Sequence, residues 1–140
     1  MNKIFFLTLV FTLMSCGVKP KETTETIASS HFGIYISKQG KFVVRPSTKR
    51  FIPGEDNKIT YRIVTDELTT PPADFSFRFN YRMPTMPQMI IPKTKPVVLG
   101  PGSVEVVYEI AHGGLWEFEI LIHKDNTLVD TLVYTVTIPD

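Results

Sequence analysis

A regular alternation of apolar and polar residues is the feature that most restricts how this chain can fold. In FSFRFNYR (75–82), every second residue is aromatic and the residues between them are polar or charged. The same alternation recurs in KITYRIV (58–64), SVEVVYEI (103–110), WEFEILI (116–122) and LVYTVTI (132–138). A period of two is typical of strands that bury only one face.

Turn-forming residues separate these runs and add two further strands. The segment SKQGK (37–41) predicts a hairpin between Gly33–Ser37 and Lys41–Arg45. We therefore predict seven strands and no helix over residues 31–140. One-sided strands need a second sheet to cover the apolar face, so the predicted fold is all-β: an antiparallel β-sandwich of immunoglobulin-like size.

The N-terminal residues indicate export and lipid anchoring. Lys3 precedes the apolar run 4–14, which has the length of a signal-peptide core and is too short to span a bilayer. Residues 13–16, LMSC, resemble a bacterial lipobox, which implies cleavage before Cys16 and lipidation of that residue. The alternative is an ordinary secretory signal. Cys16 is the only cysteine of the chain, which favours the lipobox.

This interpretation divides the chain into three parts. Residues 1–15 are the predicted signal peptide, residues 16–30 the lipidated cysteine with a polar, disordered tether, and residues 31–140 the folded domain. The lipid would hold the protein on a membrane of the bacterial cell envelope. Gly17 replaces the aspartate that retains many lipoproteins in the inner membrane, which favours the outer membrane.

Composition and motifs argue against two classes of function. Loss of Lys3 with the signal peptide leaves fourteen basic and fourteen acidic side chains, and this balance argues against nucleic-acid binding. No phosphate loop, nucleophile elbow or zinc-protease motif is present. The alternating acids Glu105 with Glu109 and Glu117 with Glu119 belong to outward strand faces. We therefore expect the protein not to be an enzyme.

The segment YRMPTMPQMIIP (81–92) carries the candidate metal ligands. Met83, Met86 and Met89 recur at every third position, and thioethers are soft ligands that suit Cu(I). The prolines favour polyproline II, which would put the methionines on one face with α-carbons roughly 9 Å apart. Three sulfurs could then meet one ion only if the loop bends. His112, in AHGGLW, is the candidate additional donor.

Other interpretations of these residues stay open at this point. Methionines also fill gaps under proline-rich loops, and prolines protect a sheet edge from pairing with other chains. The methionines could equally form an apolar ridge for a partner protein, and His112 could be an ordinary turn residue. His31 and His123, the latter placed on the outward face of its strand, are weaker ligand candidates.

Three ordered pieces of the sequence resemble the YtkA-like domain family, which is related to the FixH-like proteins. They are FIPGEDNKITYRIVTDE, DFSFRFNYRMPTMPQM and GSVEVVYEIAHGGLWEFEILI, within residues 51–123. The matching residues are Gly54, Glu55 and Asn57, then Met83, Pro84 and Met86, then Gly114 and Trp116. Many members continue the methionine motif with histidines, whereas this chain has Gln88, Met89, Ile90 and Ile91.

The resemblance implies a small exported β-sandwich. We predict that Gly54, Pro84, Gly114 and Trp116 are fold determinants, with Gly114 forming a tight turn before the large core aromatic Trp116. FixH-like proteins are associated with copper handling and cytochrome oxidase assembly. The first functional hypothesis is therefore a membrane-anchored binding domain that carries Cu(I) through the three methionines and His112. The second is a metal-free structural or interaction lipoprotein that contacts another envelope protein.

Overall fold

The computed structural model describes residues 33–48, 50–86 and 94–140, and this part of the chain contains strands and no helix. The strands are β1 (Tyr35–Ile36), β2 (Phe42–Ser47), β3 (Glu55–Thr65), β4 (Phe75–Arg82), β5 (Pro96–Gly100), β6 (Ser103–Ile110), β7 (Gly114–Lys124) and β8 (Thr127–Ile138). Nothing among these residues forms a helix capable of crossing a membrane. The predicted signal peptide, Cys16, the tether and Met89 lie outside the described residues.

The strands form two antiparallel sheets, which confirms the predicted β-sandwich. The five-stranded sheet has the order β1-β2-β3-β6-β5, and the three-stranded sheet has the order β4-β7-β8. Without β1, these orders reproduce the seven-strand arrangement of immunoglobulin constant-type domains. The hairpin predicted around SKQGK is also present, because β1 pairs with β2 through Tyr35↔Val44 and Ile36↔Val43.

Strand β5 was not among the predicted strands, so the described chain has eight strands and not seven. It is an edge strand, paired with β6 through Val97↔Glu105 and Val98↔Val104. These pairs put Val97 on the outer face of the sheet and Val98 on the inner face, yet both side chains are exposed. Since neither face is buried, selection for alternating polarity does not operate there, and the period-two signal is missing.

A layer of aromatic side chains fills the space between the sheets. Phe118 of β7 lies at its centre, 5.2 Å from the ring of Tyr134 and 5.1 Å from that of Tyr108. Tyr81 stacks on Trp116 with ring centroids 5.7 Å apart. Aromatic pairs at these separations add to the free energy gained from apolar burial. The alternation read from the sequence therefore corresponds to a real inward-facing surface.

Hydroxyl groups inside this layer link the two sheets. The Tyr61 hydroxyl lies 2.6 Å from that of Tyr108 and 2.8 Å from that of Tyr134, and all three residues are buried. Tyr61 and Tyr108 belong to the five-stranded sheet, whereas Tyr134 belongs to the other. Burial raises the pKa of the Tyr61 and Tyr134 phenols well above the usual value. The fold thus favours three neutral tyrosines.

A buried carboxylate fastens the first hairpin to the last strand. Asp130 accepts hydrogen bonds from the Ser37 hydroxyl (2.6 Å), the Gln39 amide (3.0 Å) and the Thr131 amide (2.8 Å). The Lys38 amide also donates to the Thr131 carbonyl at 2.7 Å. These bonds satisfy a charge that would otherwise be costly to bury, and they cover part of the β8 edge.

We expect stability to fall steeply above about pH 10, the ordinary tyrosine pKa in an unfolded chain. A phenol whose pKa is raised in the folded state stabilises the fold below the unfolded pKa, and that contribution is lost as the pH rises. Urea unfolding between pH 7 and 11, with phenolate absorbance recorded in parallel, measures the effect. Tyr61→Phe should lower stability by about 1–3 kcal/mol at neutral pH and flatten the alkaline loss. An unchanged alkaline slope in Tyr61→Phe would contradict this account.

Candidate functional site

The three sequence pieces that resemble the YtkA-like family meet at one end of the sandwich. We call this region, residues 50–54, 83–86 and 111–114, the methionine end. The Gly54 amide donates to the Ile110 carbonyl at 2.7 Å, which joins the first piece to the third. The Met83 methyl group lies 3.0 Å from the point that a Cβ on Gly114 would occupy, which joins the second piece to the third. Residues far apart in sequence are therefore neighbours here.

Asn57 organises the first loop of the methionine end. Its buried carboxamide accepts a hydrogen bond from the Ile52 amide at 2.7 Å and donates to the carbonyls of Ile52 (3.0 Å) and Glu55 (2.7 Å). Gly54 within the same loop has a φ of 81°, a conformation that side chains disfavour. The glycine–acid–asparagine pattern is thus explained by a tight turn whose backbone one side chain satisfies.

The first two methionines lie on a β-turn and not on a polyproline II helix. The Met86 amide donates to the Met83 carbonyl at 3.0 Å, with Pro84 at the second turn position. The predicted spacing is therefore wrong for this pair, since a turn of this kind brings the two α-carbons within about 7 Å. Met83 is 5% exposed and belongs to the core, whereas Met86 is 50% exposed. Met89 lies outside the described residues.

The loop that carries His112 is held in place by its backbone. The Trp116 indole donates to the His112 carbonyl at 2.9 Å, and Trp116 itself is buried. Gly113 packs closely against the chain at Pro139 and Asp140. The His112 side chain is exposed, so its imidazole is accessible at the methionine end.

His123 does not belong to this site. It is buried, contrary to the exposed position expected for an outward-facing residue, and its Nδ1 has no hydrogen-bond partner among the described residues. Gly114 and His123 stand at opposite ends of β7, roughly 30 Å apart along the strand. The remaining candidate, His31, lies outside the described residues.

The alternating acids of β7 are engaged across the sheet. Glu117 forms an ion pair with Arg82, and Glu119 accepts a hydrogen bond from the Asn80 amide group at 3.0 Å. The described part of the chain contains no group of three or more His, Cys, Asp or Glu residues placed to hold a metal ion. Within residues 50–54, 83–86 and 111–114, the exposed soft donors are the thioether of Met86 and the imidazole of His112.

One pair of charged residues escaped the sequence analysis. Arg45 of β2 and Arg62 of β3 are exposed and stand directly opposite each other in the strand pairing. Only the register between two strands reveals such a pair.

Comparisons of the whole chain with protein-family models, with curated proteins and with solved structures found no match in any of the three.

Gly114→Ala should destabilise the protein by about 1–3 kcal/mol, because Gly114 has a φ of 119°. The close Met83 methyl is the end of a flexible side chain and can move, so Met83→Ala should not rescue the variant. Gly100→Ala is the matched control, since nothing lies within 4 Å of its Cβ position. Thermal unfolding of the wild type, Gly114→Ala, the double variant Gly114→Ala with Met83→Ala, and Gly100→Ala measures this effect. Equal losses of stability in Gly100→Ala and Gly114→Ala would contradict it.

Proposed function

We propose that this protein is a non-enzymatic lipoprotein of the bacterial cell envelope whose YtkA-like domain binds Cu(I) at the methionine end. The observation that carries the proposal is the convergence of the methionine turn and the His112 loop. Met83 contacts Gly114, two residues from His112, so the two loops are packed together. Met86 and His112 are the exposed donors of these loops.

The exposure of each candidate ligand suggests which side chains bind the metal and which only pack. Met83 is enclosed by the core, so we assign it to packing against Gly114. Met86 and His112, together with Met89 of the same loop, are the proposed ligands. One imidazole and two thioethers form a soft donor set that suits Cu(I) better than hard cations. Ligands on exposed turns also suit a metal that is passed on to another protein.

The lipid anchor is proposed from Cys16 and the residues around it. Lipidation of the Cys16 thiol would leave a chain without a free thiol, since no other cysteine is present. A copper-binding protein would then depend on methionine and histidine as soft ligands. The anchor and the donor set are therefore compatible with one exported protein, although each requires its own test.

A second candidate function, metal-free contact with another envelope protein, is favoured by strand β5. Val97, Val98 and Leu99 are exposed, and Val98 reaches 74%. A five-residue edge strand with uncharged side chains can accept a strand from a partner.

Photo-crosslinking from position 98, with position 133 as control, should then give one discrete adduct at position 98 alone. Equal adducts at the two positions would remove this candidate.

The copper proposal predicts that Met86→Leu and His112→Gln each weaken Cu(I) binding roughly tenfold or more, about 1.4 kcal/mol per tenfold. The reason is the loss of one donor from a set of three. Competition titration with a chromogenic Cu(I) chelator, under strictly reducing conditions, measures the affinity of the detergent-solubilised protein. Met83→Leu and His123→Gln are the matched controls, because the first residue is enclosed by the core and the second lies at the far end of β7.

Two outcomes of this titration would count against the proposal. An equal loss in Met83→Leu and Met86→Leu would show that the enclosed sulfur is a ligand and that the assignment is wrong. Unchanged affinity in Met86→Leu, Met89→Leu and His112→Gln together would remove the methionine end as a metal site.

The anchor predicts that cells fed radiolabelled palmitate incorporate the label into the wild-type protein and not into Cys16→Ser. The thiol of Cys16 is the only one in the chain that could receive a thioether-linked lipid. Membrane fractionation of the same cells supplies the second readout. An unlabelled wild-type protein, or a labelled Cys16→Ser variant, would refute the lipoprotein assignment.

A further inference from the structure

The outer face of the five-stranded sheet carries an unusual charge arrangement. Arg45 and Arg62 are directly opposite each other on β2 and β3, and both side chains point away from the core. Like charges at opposite positions of a sheet destabilise it. No acidic side chain pairs with either arginine among the described residues, and Arg62 makes one long hydrogen bond, 3.4 Å to the Pro101 carbonyl.

The acids nearest to these arginines are engaged or distant. Glu105 is the diagonal neighbour of Arg62 through the pairing with β6, but Lys58 holds its carboxylate at 3.3 Å. Asp66 directly follows β3, four residues beyond Arg62, and forms no ion pair with either arginine. The exposed Asp56 and Glu109 face each other near the start of β3, about 20 Å along the strand from Arg62. Two guanidinium groups therefore share one stretch of surface without a counter-charge from the described chain.

Apolar side chains border this arginine pair on the same face. Ile36 stands opposite Val43, which shares the outward side of β2 with Arg45, and Ile36 is 65% exposed. Val97, across from Glu105, is exposed at the other edge of the sheet. A basic pair flanked by exposed aliphatic side chains matches the headgroup region of an anionic bilayer, where phosphates and acyl chains meet.

We propose that this outer face, centred on Arg45 and Arg62, rests on the membrane and binds the phosphate of an anionic lipid headgroup. Paired guanidinium groups suit a phosphate, because each presents a planar fork of donors. The bound anion also removes the like-charge repulsion, which explains why the pair is tolerable in the anchored protein.

The proposal rests on the lipid anchor of the proposed function, and the chain length permits it. Cys16 is 17 residues before Gly33, which leads into β1 at the edge of this same sheet. A chain of that length spans about 23 Å as a coil and at most about 60 Å when extended. The anchored domain can therefore lay this face on the bilayer without strain.

The outer face of the three-stranded sheet lacks these properties. Arg82 forms an ion pair with Glu117 across strands, and Glu119 accepts a hydrogen bond from the Asn80 amide group. Arg78 is a single exposed arginine on this face, with Leu121 and not a second arginine opposite it. Val133 of β8 is exposed there to 50%, so an apolar side chain alone does not distinguish the two faces. This face supplies the internal control of the experiment.

The test uses the full lipidated chain in vesicles of phosphatidylglycerol and phosphatidylcholine, compared with phosphatidylcholine alone. Once the Cys16 thiol carries its lipid, Ile36→Cys or Val133→Cys supplies the only free thiol for an environment-sensitive fluorophore. We expect a blue shift and quenching by spin-labelled lipid at position 36 but not at position 133, and only in the anionic vesicles.

Arg45→Gln with Arg62→Gln should shift the equilibrium towards the detached orientation roughly 25-fold, about fivefold for each arginine. Arg78→Gln, an exposed arginine of β4, should leave it unchanged.

Each contrary outcome has a distinct meaning. Protein that fails to float with the vesicles refutes the lipid anchor, whereas protein that floats with both labels in water refutes this orientation alone. A position-36 signal that is insensitive to the double arginine variant also overturns the proposal. Loss of the signal in millimolar inorganic phosphate, at constant ionic strength, would assign the arginines to a soluble anion and overturn the membrane contact. Persistence of the signal in phosphate supports the headgroup as the ligand.

Discussion

The aromatic layer between the sheets is the interaction on which the rest of the structure depends. Tyr61 connects the two sheets through its hydroxyl contacts with Tyr108 and Tyr134, while Phe118 packs between them. This layer sets the relative position of β4, β6 and β7, whose ends build the methionine end. The Tyr81 hydroxyl extends the same role, because it bonds both the amide and the carbonyl of Glu109 where β5 no longer pairs with β6. Tyr81 thus both packs in the aromatic layer and satisfies backbone hydrogen-bonding groups of the other sheet.

The sequence predicted the layers well because burial on one face imposes a period of two. Five strands were found from that signal and two more from turn-forming residues, whereas β5 was missed because neither of its faces is buried. The prolines predicted an extended methionine loop, but Pro84 occupies the second position of a β-turn, which its fixed φ fits equally well. The pairing of Arg45 with Arg62 depends on register between strands, and no local pattern records register.

Most residues of the family-like pattern hold the loops of the methionine end. Asn57 satisfies three backbone groups, Trp116 fixes the His112 carbonyl, and Gly114 leaves room for Met83. A sequence pattern of this kind can persist because the fold requires it, whatever the domain binds. Met86 is different, since its exposed side chain contributes little to the core. The proposed metal site therefore depends on the exposed donors and not on the pattern as a whole.

The two proposed surfaces would give a lipid-anchored form of this protein a definite orientation. Strand axes run parallel to a sheet face, so a domain that rests on the bilayer through Arg45 and Arg62 has its strands parallel to the membrane. The methionine end and the β5 edge then point sideways, along the membrane plane. Met86 and His112 would be presented to proteins embedded in or attached to the same bilayer, and not to soluble proteins approaching from above. An anchored carrier in this orientation searches for its partner in two dimensions, where tethering raises the effective concentration even if each contact is weak.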